Sequence, residues 1–319
     1  MTNARQITVE QALLEAEKAT KAAKYSDAIT IYEAILKYQP DNIVAKTALD
    51  ALYHGTNEIE VELDIKDILK LYHAGYLDQV QRHCEYLIKT GKESVQVFNL
   101  LGVALHGQSR LEASENAYVQ AISMDPNYAD SYNNLANLLS DMGRHEEALS
   151  KLGSSLEIRP DFPEVYNNRA NAYRKLGMVT AAIADYQKAI KLKPDYIDAY
   201  SNLGGILGDS GEHESAIENY EKALSLKPDF STFYKLGLLL GTLGRWEESK
   251  AKLEMSVQYK NDFPDSQFRL GHSCYKLNQN DLAVRYLQRA LEIDPNHSES
   301  LNCLGLIFHV QNKFERALE

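Results

Sequence analysis

Between Ile197 and Phe230 the apolar and small residues trace one face of a helix twice over. Tyr200, Leu203, Gly204 and Leu207 recur at steps of three and four, and beyond Gly211 a second stripe follows at Ala216, Ile217, Tyr220, Ala223 and Leu224. That spacing predicts two amphipathic helices joined by a tight turn. Gly211 supplies the residue free to take φ > 0 in the turn. Lys227-Pro228-Asp229 ends the second helix, because proline disfavours the α conformation in the residue before it. Gly204 and Ala216 fall where the two helices must approach, and Tyr200 and Tyr220 fill the adjoining gaps.

The pattern repeats along the chain. Pro126, Pro160, Pro194 and Pro228 are spaced 34 residues apart, Asn261 replaces the next proline after 33, and Pro295 restores the interval. A period of that length predicts a stack of helical hairpins in which each contacts only its neighbours. It moves the search for function from an active site to a surface.

Individual positions narrow this further. Phe98, Leu101-Gly102, Tyr118, Ala121 and Pro126 are followed by Tyr132, Leu135-Ala136, Gly143, Ala148 and Pro160. Tyr166, Ala170, Tyr173, Gly177, Ala182, Tyr186, Ala189 and Pro194 make the next set. Leu236-Gly237 with Gly244, Leu270-Gly271 with Ala283 and Ala290, and Leu304-Gly305 with Ala317 continue it. These positions resemble the tetratricopeptide repeat. The resemblance implies an all-α fold, a right-handed superhelical α-solenoid of stacked helix-turn-helix repeats. Three departures stand out: Arg169 where Leu is usual, Ser249 and Ser256 in place of two alanines, and Asp67-Ile68 in the Leu-Gly slot.

Full repeats are expected at about 61–94, 95–128, 129–162, 163–196, 197–230, 231–263 and 264–297. Residues 9–42, with Ala28, Tyr32 and Pro40, make one more, extended by a helix over about 43–53 before His54-Gly55-Thr56-Asn57 breaks the phase. The expected domains are therefore 1–56, an N-terminal helical repeat or cap, and 57–319, an array of about seven full repeats plus a truncated eighth. Leu304, Ile307 and Phe308 belong to that eighth repeat, whose second helix stops at Glu319. Trimming from a longer chain is expected, the alternative being that something else covers the face.

Composition excludes several classes. The chain is 44% hydrophobic and 25% charged, within the range of foldable, soluble proteins. A net charge of -11 argues against sequence-independent nucleic-acid binding and against adsorption to anionic membranes. No run approaches the roughly 20 apolar residues that span a bilayer, and the N-terminus lacks a signal-peptide core. Cys84, Cys274 and Cys303 are few and widely spaced, as expected of reduced thiols in a cytoplasmic protein.

In the family resembled, first helices of successive repeats line a groove. Their alignment gives a strip of amides: Asn99, Asn133, Asn134, Asn137, Asn167, Asn168, Asn171 and Asn202. Asparagine is a mediocre helix former, so its accumulation on one face needs a reason. A side-chain amide offers donors and an acceptor together and can bind an extended peptide backbone of any sequence. The other reading is that the amides bridge neighbouring helices and bind nothing. SYNNLAN, VYNNRAN and AYSNLGG, over 129–230, resemble the repeat arm of O-linked N-acetylglucosamine transferases, in which groove asparagines hold substrate peptides.

Farther along, the groove positions become Lys235 and Arg269, with Arg174 and Lys175 deeper in an earlier repeat. An acidic ligand stretch would meet these, unless they pair with neighbouring acids. A carboxylate clamp of the chaperone-binding kind is excluded. Asp198 and Asn202 follow Asn168 where Lys and Arg are required, and Asp130, Glu164 and Asp198 would repel a carboxylate. No catalytic constellation, metal motif or phosphate loop is present, and no cofactor is implied. Three readings follow. The first is a protein–protein interaction scaffold that binds a protein or peptide along the Asn-rich groove. The second is the substrate-recognition arm of a larger glycosyltransferase or sulfotransferase, since ILKLYHAGYLDQVQ and FNLLGVAL are similar to the front ends of bacterial repeat-containing enzymes of those kinds. The third is a scaffold that self-assembles head to tail into a homo-oligomer.

Overall fold

The structure, a computed structural model, describes residues 8–22, 24–54 and 65–310. The expected break at 56/57 and the second helix of the eighth repeat, with Ala317, lie outside the described residues. The chain divides into two compact units, Met1–Pro160 and Asp161–Glu319. Every regular element among the described residues is an α-helix.

The first unit contains α1 (Val9–Lys21), α2 (Tyr25–Tyr38), α3 (Ile43–His54), α4 (Ile65–His73), α5 (Leu77–Lys89), α6 (Val95–Gly107), α7 (Leu111–Met124), α8 (Ala129–Asp141) and α9 (His145–Ile158). The second contains α10 (Pro163–Lys175), α11 (Val179–Leu192), α12 (Ile197–Asp209), α13 (His213–Leu226), α14 (Phe230–Thr242), α15 (Trp246–Tyr259), α16 (Pro264–Lys276), α17 (Asn280–Ile293) and α18 (Ser298–Val310). Within each unit consecutive helices pack pairwise, and first helices of successive repeats lie side by side: α6 against α8, and α10, α12, α14, α16 and α18 in turn. Each unit is thus a stack of helix-turn-helix repeats. The sixth repeat begins at Phe230, one residue before the expected 231, because the Asp229 carboxylate accepts the Thr232 amide and caps α14 there.

The turns explain why the hairpins are uniform. Gly143, Gly177, Gly211 and Gly244 adopt φ between 72° and 85°, as the sequence required of Gly211. Ser109 and Asn278 fill the same slot at φ 60° without being glycine. The following amide then bonds back five residues, Arg144 to Leu139 at 2.8 Å and Met178 to Tyr173 at 2.9 Å, closing the orphaned carbonyls of each first helix. Second helices stop as proline dictates, with Lys193 and Lys227 extended before Pro194 and Pro228.

Between the two helices of a hairpin, small residues set the separation. A Cβ on Gly204 would lie 3.1 Å from the Ala216 carbonyl oxygen and from the Tyr220 ring. Where serine replaces alanine, its hydroxyl bonds across the pair: Ser114 donates to the Gly102 carbonyl at 2.7 Å, Ser249 to Gly237 at 2.7 Å, and Ser155 to Ala129 at 2.9 Å. Arg169, in the usual Leu slot, sends two nitrogens to the buried Asp185 at 2.6 and 2.9 Å. A buried carboxylate on the second helix compensates for the cation on the first.

Candidate peptide-binding face

The amides form rungs between neighbouring first helices. In the first unit Asn99 on α6 accepts hydrogen bonds from Asn134 and Ser131 on α8, both at 3.2 Å. In the second unit Asn202 on α12 donates to Asn167 on α10 at 3.2 Å. Both amide pairs have the same register, 35 residues apart. Asn133 and Asn167 are buried, at 8% and 5% exposure, so these two contribute to the contact between helices. Asn134, Asn137, Asn168, Asn171 and Asn202 are half-buried, as is Asn99. Asn171 accepts the Tyr186 hydroxyl, which ties it to the second helix of its own hairpin.

A second register lies about two turns deeper. His106 contacts Asp141 at 2.9 Å across α6 and α8, and Arg174 donates to Asp209 at 2.9 Å across α10 and α12. Two of the three acids expected at the groove edge also hold cations: Asp130 with Arg159 at 2.7 Å and Glu164 with Lys193 at 3.0 Å. Lys235 lies half-buried with its ammonium 3.5 Å from the Ser201 hydroxyl. Burial, then the Arg174 charge, holds it below the ordinary lysine pKa. It lines a cleft of about 550 Å³ with Asp198 and Asn202.

A larger cavity, about 690 Å³, opens among α14, α15 and α16. Leu238, Gly241, Trp246, Arg269, His272 and Lys276 line it. Trp246 meets His272 edge to face at 5.6 Å between centroids, and the Lys276 ammonium stands 5.8 Å from the indole ring. Of these residues, the sequence pointed to Arg269 alone. The chain's single tryptophan, beginning α15 directly after Gly244-Arg245, was the available signal.

Among the described residues no group of three metal-ligating side chains converges, and no helix is long and apolar enough to cross a membrane.

Comparison with known proteins gives the same architecture. Models described as "Tetratricopeptide repeat" match residues 95–128, 117–150, 197–230, 264–297 and 286–319, and one described as "TPR repeat" matches 136–177 and 170–209. A 74-residue stretch is 30% identical to anaphase-promoting complex subunit 3 of Schizosaccharomyces pombe. It covers 23% of this chain and 11% of that protein, so the chain matches only about a tenth of its curated relative. Among solved structures, the APC/C hetero-tetramer Cut9-Hcn1 aligns over 100% of this chain and 57% of that one, at 17% identity and TM-score 0.62. YrrB, a TPR protein with an unusual peptide-binding site, aligns over 59% of this chain and 98% of its own, at 23% identity and TM-score 0.50. At these identities the likeness concerns the fold.

Proposed function

We propose, for a chain that belongs to the tetratricopeptide repeat family, that it is a non-catalytic scaffold holding an extended segment of a partner protein along its first helices. Proteins built from these repeats generally serve as protein-interaction scaffolds. The observation that carries the finer reading is the recurrence of one amide rung, Asn99–Asn134 in one unit and Asn167–Asn202 in the other. Each rung fixes its side chains without exhausting them. Among the described residues Asn99 uses only its carbonyl, so its two N–H donors stay available, and Asn134 and Asn202 each keep a carbonyl oxygen. Groups held in place before binding lose little side-chain entropy when a peptide backbone arrives.

A random peptide library displayed on phage and panned against the full chain supplies the probe. Asn134, Asn168 and Asn202 replaced together by Ala should weaken the selected peptide roughly tenfold or more while far-UV circular dichroism stays unchanged. Unchanged affinity in that variant would remove the amide face from the account.

A further inference from the structure

The two registers that join α6 to α8 and α10 to α12 are both altered between α14 and α16. The amide rung is replaced by Tyr234 and Arg269, and the cation–acid contact by Gly241 and Lys276, each pair again 35 residues apart. Where α8 and α12 carry Asp141 and Asp209, α16 therefore carries a cation, and the residue opposite has no side chain. Gly241 is constrained as well as open, since a Cβ there would stand 3.2 Å from the Ser249 hydroxyl and 3.5 Å from Trp246. The missing side chain and the reversed charge face the same 690 Å³ cavity.

The two cations of this cavity make no ion pair among the described residues. On the first helices of this unit Arg169 and Arg174 each hold a carboxylate, whereas Arg269 and Lys276 have none within ion-pair distance among the described residues. The Arg269 Nε is buried without a hydrogen-bond partner. Asp265 and Glu299 lie against His297 at 3.6 and 3.8 Å, and the Arg269 charge reaches Glu299 only at longer range. In a chain of net charge -11, two cations without an ion-pair partner beside an indole form a local patch opposite in sign to the net charge.

We propose that this cavity takes an acidic side chain of the bound segment, with a flanking apolar residue seated against Trp246. The inference rests on the first-helix reading and adds a sequence preference to it. Arg269 and Lys276 supply charge-assisted hydrogen bonds to the carboxylate, which are stronger than those to a neutral amide. Burial, then Lys276 and Arg269, holds the His272 imidazole below its usual pKa, so at neutral pH it adds a neutral donor or acceptor. Trp246 and Leu238 provide the apolar wall that an aliphatic or aromatic neighbour would cover.

Trp246 is the chain's single tryptophan and reports on this cavity alone. Short acetylated and amidated peptide mixtures with a fixed central Glu-Leu, Gln-Leu or Lys-Leu are titrated against the full chain while its emission is followed. The Glu mixture should bind roughly tenfold tighter than the Gln mixture and weaken as salt is raised. Arg269→Gln with Lys276→Gln should erase that preference. Lys276→Glu, at an exposed side chain, should shift it toward the Lys mixture. A free C-terminal acid on the Gln mixture should not substitute for the side chain. Equal binding of the Glu and Gln mixtures, or a preference surviving both glutamine substitutions, would overturn the assignment while leaving the amide face untouched. Silence of Trp246 towards every mixture would overturn it too, and the asparagine variant reports separately on the reading beneath it.

Discussion

Gly102 faces Tyr118 across the α6–α7 hairpin, and a methyl group there has nowhere to go. Its Cβ would lie 2.5, 2.6 and 2.9 Å from three atoms of the Tyr118 ring. Ordinary carbon contacts are about 3.5–4.0 Å, so the overlap is about 1 Å. The ring is 1% exposed and cannot swing into solvent, which leaves only separation of the two helices. Overpacking of this kind costs about 1–3 kcal/mol, and a rigid ring places Gly102→Ala toward the upper end. Alanine recovers about 1 kcal/mol over glycine in a helix interior. The net loss is therefore about 1–2 kcal/mol. Gly153 in α9 is the control, since a Cβ there meets nothing within 4 Å. Gly153→Ala should gain about 0.5–1 kcal/mol. Urea unfolding followed by circular dichroism, with slopes compared to confirm the same transition, should move the two midpoints in opposite directions. Equal or parallel shifts would refute the close approach of α6 and α7 on which the hairpin geometry rests.

The left-handed turn slot predicts opposite signs at two equivalent positions: Ser109→Gly should stabilise by about 0.5–1 kcal/mol and Gly177→Ala destabilise by about 1 kcal/mol, read as shifts in thermal midpoint. Arg169→Leu restores the residue usual in this repeat yet leaves Asp185 buried and unpaired. It should cost about 2 kcal/mol, discounted for the 24% exposure of the arginine, and adding Asp185→Ala should recover most of the loss. No recovery in the double variant would break the pairing argument. Burial raises the Cys84 thiol to about 12 from 9.0, and the Tyr186 and Tyr220 phenols to about 12 from 10.0. Because the unfolded chain then releases protons first, stability should be flat near neutrality and fall from about pH 9 upward. A urea midpoint that rises over that range would contradict the burial of these groups.

The helical hairpin was legible because its determinants lie within one repeat: the apolar stripe, the small residues at Gly204 and Ala216, and the turn at Gly211. Departures were legible as departures. Arg169 marked a disturbed slot, but its partner Asp185 emerges only when the two helices of the hairpin are aligned. The positive φ of Ser109 and Asn278 was missed because the slot is set by hairpin closure, and the stack tolerates residues that only partly favour it. The amides were legible as a strip, whereas the burial of Asn133 and Asn167 and the rungs were not. Those depend on the lateral register of helices about 35 residues apart, which no single helix encodes. Cation pairing divides the same way. Arg174 finds Asp209, while Arg269 and Lys276 have no acid within ion-pair distance among the described residues, and the register distinguishes the two outcomes.

The central claim is that partners lie along the first helices rather than the second. A photoreactive benzophenone side chain placed at Asn137, on α8 about one turn from Asn134, and separately at Gln120, exposed on α7, tests it directly. With the panned peptide bound and illuminated, crosslinked product is expected from position 137 and not from position 120. Crosslinking from 120 with none from 137 would place recognition on the opposite helices and contradict the account.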